Sequence, residues 1–363
     1  MSKVFEVGMS HMLRDVHFND GKALTVRLRM PELSFMNGPP DMKMEFRSEV
    51  ACMKLFKART SIPVPEVYHF EPEPHDIGAP YVIIEHLPGK HAYDMHNPAH
   101  DPLDGFGTPE QDRKFRRQLA AIQVEMTSLK FDKIGSLYQN PETEEFSIGP
   151  DCKTGKGPWK SSLEYYHHLV NRRLEECLRD APEATKDDLS FSLPILFERL
   201  IAMYVDEASI SGPFGLTHFE FGPPNLIVNE QFDCLTFLDF RGLFSGPIEV
   251  QALCPYFTGL DIVPPFHVKT RPSEIKRKKA GKRRLEEYKR LVQEHERKMQ
   301  AGGPPIKAEQ RLSEMLFSEA SAIVTGLQCY RKHEDLIHET LMLSFSRLLR
   351  RKLKESIEEK NLK

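Results

Sequence analysis

The chain has 363 residues, with 50 Lys and Arg against 53 Asp and Glu, and a formal net charge of -3. Its length corresponds to about two domains of roughly 150 residues, or to one large two-lobed enzyme, and excludes a disulfide-stapled miniprotein. The near balance of charge excludes a polycation that binds nucleic acid over its whole surface, so any basic patch is local. With 40% hydrophobic and 28% charged residues, the composition is that of a folded globular protein.

The first thirty residues predict two strands around a hairpin. Residues 4–7 and 23–30 are the strand candidates, and the polar stretch between them closes on Asn19-Asp20-Gly21, a sequence typical of tight turns. Apolar and polar residues alternate along the second strand, which gives it one apolar and one polar face.

A helix and a short buried strand follow in the sequence. Residues 41–58 have helical spacing of apolar residues, and Ile62-Pro63-Val64-Pro65 ends that pattern because a residue before proline favours extended geometry. The apolar run from Tyr81 ends in a turn at Pro88-Gly89, which predicts a strand.

Long helices dominate from about residue 108. They are predicted over 111–129, 161–179 and 193–208, and two more are expected near the C-terminus. Two apolar runs, 226–229 and 234–239, interrupt them as a strand hairpin. The change in pattern near residue 90 predicts a boundary between two lobes.

Three polar residues around this hairpin suggest phosphoryl transfer. Glu220 is followed by Asn225, then by the first strand, and Asp239 ends the second strand. Phosphoryl transfer from ATP needs oxygen ligands for a metal and a carboxylate that takes the acceptor's proton. A loop and a hairpin can bring these three side chains to one site.

The motifs around these residues resemble the aminoglycoside phosphotransferase and choline kinase family, in its divergent fungal form. The family's His-Gly-Asp-Leu-x-x-x-Asn reads here as His218-Phe-Glu-Phe-x-x-x-Asn225, and its Ile-Asp-Trp reads as Leu238-Asp239-Phe240. The resemblance implies an α+β, two-lobed protein-kinase-like fold, with a small antiparallel sheet in the N-terminal lobe and a larger, mainly helical C-terminal lobe.

The resemblance also implies a domain organisation. The N-terminal, nucleotide-binding lobe would span 1–90 and the helical lobe 91–363. The catalytic loop would lie at 216–242, and a basic insertion at about 269–300.

The resemblance implies ATP and Mg²⁺ as cofactors. Asn225 and Asp239 would bind the magnesium, and the catalytic positions would be Glu220, as the base, and His218. We expect His218 to brace the loop by hydrogen bonding rather than to transfer a proton. The acceptor would be the hydroxyl of a small molecule that the sequence does not identify, since a fold does not specify a substrate.

The nucleotide contacts would come from the N-terminal lobe. Arg29 takes the position of the family's phosphate-binding cation, with Arg27 as its rival, and Glu49 is the helix residue expected to pair with that cation. Ser10 lies in the hairpin that would cover the phosphates. In the strand from Tyr81 to Gly89, which resembles the family's hinge, Glu85 and Leu87 would meet the nucleotide.

Each of these residues also has a simpler explanation. Arg29 or Glu49 can be a solvated charge on an exposed face, Asn225 can cap the next segment, and Asp239 can be a turn residue. Glu220 replaces the family's Asp, and Phe219 replaces its Gly. A catalytically impaired pseudokinase that acts as a binding or scaffold protein is therefore the alternative function.

The strongest charge feature is the basic segment 269–298. A phosphate-rich partner, such as a nucleic acid or an anionic surface, would bind such a segment by counterion release. The favoured interpretation is a solvated helix or insertion, because Glu286, Glu287 and Glu294 are interspersed with its basic residues.

The sequence predicts no transmembrane segment, since no window approaches the length of apolar run that spans a bilayer. The first residues hold no signal-peptide-like apolar run, and their acidic residues argue against a transit peptide. The six cysteines are scattered singly, as expected of reduced thiols. We therefore expect a cytoplasmic protein.

Overall fold

The computed structural model describes most of the chain. The described residues are 5–8, 10–31, 42–74, 77–95, 105–180, 189–205, 207–255, 258, 260, 272–301, 311–328, 350 and 354. None of the helices among them is long and apolar enough to cross a membrane.

The N-terminal lobe is built on a five-stranded antiparallel sheet with the order β1-β2-β3-β5-β4. Its strands are β1 (Glu6–Val7), β2 (His11–His17), β3 (Ala23–Arg29), β4 (Val67–Glu71) and β5 (Tyr81–Glu85). The polar stretch of the predicted hairpin is itself the strand β2, which pairs with β3 from His17↔Ala23 to His11↔Arg29. The turn between them uses Gly21 at φ +83°, a conformation that favours glycine.

The polar face of β3 points inward. Thr25, Arg27 and Arg29 are buried, whereas the apolar residues between them are only half-buried. The solvated interpretation of Arg29 is therefore wrong: it is 3% exposed. The physical reason is the helix packed on this face, α1 (Met42–Arg59), which buries two carboxylates of its own, Glu45 and Glu49.

The C-terminal lobe is mainly helical. Its longer helices are α2 (Pro109–Ser128), α3 (Ser162–Asp180), α4 (Leu189–Tyr204), α7 (Pro272–Gln300) and α9 (Glu319–Gln328), and its shorter ones are α5 (Glu207–Ile210), α6 (Ile248–Gln251) and α8 (Leu312–Met315). The sequence thus predicted the four helices from α1 to α4, with bounds shifted by a few residues. The last of the predicted helices lies largely outside the described residues.

Short strands support the loops of this lobe. They are β6 (Lys90–His91), β7 (Lys130–Phe131), β8 (Ser136–Gln139), β9 (Phe146–Gly149), β10 (Phe214–His218), β11 (Leu226–Val228), β12 (Cys234–Phe237) and β13 (Leu243–Gly246). They form sheets with the orders β13-β10-β7, β12-β11-β6 and β8-β9. The segment predicted as the catalytic loop therefore runs from β10 to β12, between two small sheets.

The basic segment forms part of the helix α7, which packs on α2. Tyr288 and Val292 are fully buried, and the Tyr288 hydroxyl donates a hydrogen bond of 2.7 Å to Gln123 Oε1. Lys282 and Arg283 on the same helix are exposed. The segment from residue 281 onward is thus a docked amphipathic helix whose exposed face carries both basic and acidic side chains, such as Lys282 and Glu286. Residues 269–271 lie outside the described residues.

Candidate active site

The centre of the site is the turn that follows β10. His218 is the last residue of that strand and is buried, whereas Glu220, two residues later in the turn, is exposed. The short 3-10 helix Pro223–Asn225 then leads into β11. This arrangement exposes the Glu220 side chain to solvent, while the end of β10 directly before the turn is buried.

The imidazole of His218 holds this turn. Its Nδ1 accepts a hydrogen bond of 3.2 Å from the backbone N–H of Glu220. Its ring lies edge-on to Phe237, with the centroids 5.4 Å apart. Burial lowers the pKa of His218, opposed by the nearby charges of Asp239 and Glu220. His218 is therefore neutral near pH 7, and its hydrogen bond positions Glu220.

Asn225 connects the turn to the second strand of the hairpin. Its Nδ2 donates a hydrogen bond of 2.9 Å to the backbone oxygen of Glu220, and its own backbone oxygen accepts one of 2.9 Å from Leu238 N–H. Asp239 is the next residue after Leu238. These two hydrogen bonds thus fix the positions of Glu220, Asn225 and Asp239 relative to one another.

Asp239 has an unusual backbone conformation and a neighbouring cation. Its φ of +57° lies in the left-handed region, which costs energy for a residue with a Cβ and is frequent at functional sites. Its Oδ1 accepts a hydrogen bond of 3.2 Å from Arg241 N–H, and the Arg241 guanidinium lies 3.8 Å from Oδ2. Arg241 was not predicted from the sequence, although it lies only two residues from a predicted ligand.

Two buried ion pairs lie on the inner face of the N-terminal sheet. Arg27 Nη2 is 3.2 Å from Glu49 Oε1, and Arg29 Nη2 donates a hydrogen bond of 2.5 Å to Glu45 Oε2. The expected pairing of Arg29 with Glu49 is therefore corrected: Glu49 pairs with Arg27, the rival candidate. The reason is the register between β3 and α1, in which two residues along the strand correspond to one helical turn.

Glu45 was not predicted from the sequence as a site residue. Its position four residues before Glu49, which places both carboxylates on one face of α1, could have indicated it. Burial raises the pKa of Glu45, and the nearby charges of Arg29, Arg241 and Lys153 oppose that rise. The N-terminal ion pairs and the segment after Asp239 thus share one electrostatic environment.

His11 fills the space beside these pairs. Its Nε2 lies 3.7 Å from Glu49 Oε2, and its Nδ1 is 3.1 Å from the hydroxyl of Ser10. Burial, with the charges of Arg27 and Arg29, lowers the pKa of His11 to about 2. The ring is therefore neutral, and the Ser10 hydroxyl is hydrogen-bonded to it.

The two hinge residues differ in their contacts. Glu85 donates its backbone N–H to the Glu66 oxygen (2.9 Å), and its Oε2 accepts from Glu66 N–H (3.1 Å) and lies 3.7 Å from Lys57 Nζ. Its polar side chain is thus directed along the sheet edge. Leu87 is half-buried in the segment between β5 and β6. Nucleotide contact by either residue stays a prediction.

Phe219 packs into the core of the helical lobe. Its ring packs against Phe244, with the centroids 5.9 Å apart, in a hydrophobic cluster of the helical lobe. The bulky residue in the position of the family's Gly is therefore accommodated by the core beneath the turn.

The donor set fits magnesium. Among the described residues there is no group of three or more His, Cys, Asp and Glu side chains of the kind that holds a metal by itself. Magnesium differs from such metals, because it prefers oxygen ligands and commonly uses one or two protein groups together with phosphates. The Asp239 carboxylate and the side-chain oxygen of Asn225, whose Nδ2 is directed to Glu220, are ligands of this type.

The lobes, the loop after β10 and Asp239 after β12 define a protein of the kinase-like class. The sequence profile described as "Phosphotransferase enzyme family" (APH) matches residues 16–250, which is more than half of the chain. The protein therefore belongs to the APH phosphotransferase family.

A solved structure supports the fold. A protein from Ralstonia eutropha JMP134, assigned as an aminoglycoside phosphotransferase, is 12% identical, with a TM-score of 0.53 and coverage of 95% of this chain and 92% of that chain. At this identity the likeness shows the protein-kinase-like fold and nothing finer.

Curated relatives are fungal proteins named "Altered inheritance of mitochondria protein 9, mitochondrial". The one from Saccharomyces cerevisiae strain S288c is 22% identical over 325 residues, with coverage of 72% of this chain and 50% of the relative. The one from Vanderwaltozyma polyspora is 26% identical over 167 residues, with coverage of 44% and 25%. The chain thus spans half or less of the length of these relatives.

These names overturn the expectation of a cytoplasmic protein, because the relatives are named as mitochondrial. That expectation depended on the absence of a long apolar run, on the scattered cysteines and on the first residues of the sequence. At least half of each relative's length is unmatched, so those few residues are no guide to location.

Proposed function

We propose that this protein is an ATP- and Mg²⁺-dependent phosphotransferase that moves the γ-phosphate to a hydroxyl of a small molecule. The observation that supports the proposal is the fixed arrangement of Glu220, Asn225 and Asp239. The Asn225 Nδ2–Glu220 O and Leu238 N–Asn225 O hydrogen bonds hold this arrangement. Phosphoryl transfer depends mainly on such positioning and on charge stabilisation.

Asn225 and Asp239 would hold magnesium, which neutralises charge on the phosphates when it is bound. On the N-terminal side, Arg27 and Arg29 are the buried cations of the sheet face toward α1. Glu49 and Glu45 of α1 fix the positions of these two guanidinium groups. The placement of α1 on the sheet therefore determines where the cations that would bind phosphate lie.

Glu220 would be the general base. Its exposed carboxylate would accept the proton of the acceptor hydroxyl while that oxygen forms the new bond to phosphorus, the bond between the β- and γ-phosphates breaks, and ADP leaves. The longer side chain of Glu can serve this role because the backbone of the turn is fixed on both sides, by His218 and by Asn225. General-base catalysis requires hydrogen-bond reach to the acceptor.

The names of the curated relatives support a location in mitochondria for this protein. We therefore expect the acceptor to be a hydroxyl-bearing small molecule that occurs in mitochondria. Fractionation of cells that express the full-length protein with a C-terminal tag tests the location, and recovery in the cytosolic fraction alone would contradict it.

The function is tested with γ-labelled ATP, Mg²⁺ and a small-molecule extract of mitochondria. The proposal expects a labelled phosphate ester that is absent with Asp239→Asn and reduced about 10²-fold or more with Glu220→Gln, since removal of a general base typically costs 10²–10⁴-fold. If the native protein transfers no label to any component of the extract, while its nucleotide binding is intact, the transfer proposal is wrong.

One observation favours the pseudokinase alternative. The Arg241 guanidinium lies beside the Asp239 carboxylate, where its positive charge competes with a metal ion. If Arg241 acts in this way, Arg241→Ala strengthens Mg²⁺-dependent nucleotide binding. Transfer by the native protein would contradict this alternative.

The exposed basic residues of α7 are a weaker candidate for binding an anionic partner. Lys282 and Arg283 are exposed, but Lys282 Nζ lies 4.0 Å from Glu286 Oε1, so acidic residues offset the basic ones. Binding of RNA or anionic vesicles that is insensitive to charge reversal at these two residues would exclude it.

A further inference from the structure

The loop between β9 and α3 carries a lysine into the active site. The Lys153 ammonium lies 3.5 Å from the position that a Cβ on Gly242 would occupy, and Gly242 is three residues after Asp239. Its charge acts on Glu45, in α1, and on His218, in β10. A loop remote in sequence from every predicted motif thus contributes a cation to the site.

Hydrogen bonds within the loop fix the backbone around Lys153. Asp151 Oδ1 accepts a hydrogen bond of 3.1 Å from Lys153 N–H, and its Oδ2 accepts one of 2.8 Å from the Thr154 hydroxyl. The Asp151 backbone oxygen accepts 2.7 Å from Gly155 N–H, at φ +66°. These contacts close the loop into a compact turn that does not depend on the lysine side chain.

A buried cysteine anchors the turn to the lobe. Cys152 N–H donates a hydrogen bond of 3.0 Å to the Ser136 hydroxyl, and Cys152 is buried next to the exposed Lys153. Burial raises the pKa of the Cys152 thiol to about 11, so this cysteine is neutral and serves packing. The backbone on which Lys153 stands is therefore fixed.

The other cations of the site are engaged with carboxylates. Arg27 pairs with Glu49, and Arg241 lies beside Asp239. Lys153, in contrast, forms no ion pair with any residue in the described part of the chain. A flexible, exposed ammonium with three donors is available for a ligand.

We propose that Lys153 binds the γ-phosphate of the nucleotide. This inference rests on the proposed function and adds to it the residue that neutralises the transferring group. The hairpin that would cover the phosphates offers few glycines for close approach by backbone N–H groups, with Gly8 and Ser10 near its tip. A lysine supplied from the C-terminal lobe compensates for that deficit at the reacting end of the nucleotide.

The test compares Mg-ATP with Mg-ADP. We expect Lys153→Met to weaken Mg-ATP binding about tenfold or more, the effect of losing one charge-assisted contact, while Mg-ADP binding changes less than about twofold. Lys156→Met is the matched control, because Lys156 lies on the same loop but near His168. It should leave both affinities unchanged, and Lys153→Arg should retain most of the Mg-ATP affinity.

The outcomes separate the two proposals. If the native protein binds both nucleotides and Lys153→Met affects neither, or both equally, the role of Lys153 is wrong and the proposed function stands. If the native protein binds neither nucleotide, the proposed function fails and this inference fails with it. Thermal melting of Lys153→Met checks its fold, which we expect to be intact because the side chain is exposed.

Discussion

Arg29 in β3 donates a hydrogen bond of 2.5 Å to Glu45 in α1, and the two side chains are 2% and 3% exposed. A parallel pair, Arg27 and Glu49, lies one helical turn along α1. The orientation of α1 on the sheet is therefore fixed by charge as well as by apolar packing. Each of these two buried arginines is held in place by a carboxylate of α1.

Removing one partner of the first pair should destabilise the protein strongly. Arg29→Met leaves the Glu45 carboxyl buried without this hydrogen bond, and such changes cost about 3–5 kcal/mol. The double variant Arg29→Met with Glu45→Leu should recover most of that loss. Urea unfolding at pH 7 measures both free energies of unfolding.

The control for this prediction is Lys22→Ala. Lys22 pairs with Asp20 on the surface with 81% of its side chain exposed, and such pairs contribute between zero and about 1 kcal/mol. If Arg29→Met changes the free energy of unfolding as little as Lys22→Ala does, the stabilising role of the buried Arg29–Glu45 pair is contradicted.

The neutral state of His11 predicts a pH dependence of stability. Its pKa is about 2 in the folded protein against an ordinary 6.5, so below pH 6.5 the unfolded chain takes up a proton that the folded protein does not. The stability from this group is thus present above pH 6.5 and is lost as the pH falls toward 2. His11→Gln should remove about 2 kcal/mol of the decrease in stability between pH 7 and 5.

The charges that face His11 are those of Arg27, Arg29, Glu49, Asp239 and Arg241. Because His11→Gln keeps all five, the difference between the two pH profiles reports the histidine itself. Parallel profiles for the native protein and His11→Gln would show that His11 takes up protons equally in both states.

Two glycine substitutions should have opposite effects. Gly281 lies within α7, and an added Cβ would meet no atom within 4 Å, so Gly281→Ala should stabilise the protein by about 0.5–1 kcal/mol through helix propensity. Gly21 also has open space but lies at φ +83°, so Gly21→Ala should destabilise it by about 1 kcal/mol. Thermal melting compares the two. A destabilising Gly281→Ala would argue against the helical assignment of α7.

The sequence predicted the elements whose signals are local. The spacing of apolar residues predicted α1 and the three helices after it, and short apolar runs predicted β11 and β12. The strand β2 was missed because its sequence is polar, and it is held as a strand by pairing with β3 along its whole length. Such pairing is a property of the sheet and leaves little signal in the strand itself.

The parts of the candidate site that the sequence could not predict depend on tertiary register. Arg27 and Arg29 differ only in which turn of α1 they face, and no spacing within β3 distinguishes them. Lys153 is 86 residues before Asp239 in the chain, and only the packing of its loop brings it to Gly242. The motif residues were predictable because their loop and hairpin are contiguous in sequence.

Nucleotide and magnesium binding at this site is tested most directly by calorimetric titration of the native protein and of Asp239→Asn with ATP, in the presence and absence of Mg²⁺. We expect the native protein to bind Mg-ATP and omission of Mg²⁺ to weaken its binding. Asp239→Asn should weaken Mg-ATP binding about tenfold or more and remove most of the Mg²⁺ dependence. Equal Mg-ATP affinity in both proteins, or no binding by the native protein, would contradict a phosphotransferase site at Asn225 and Asp239.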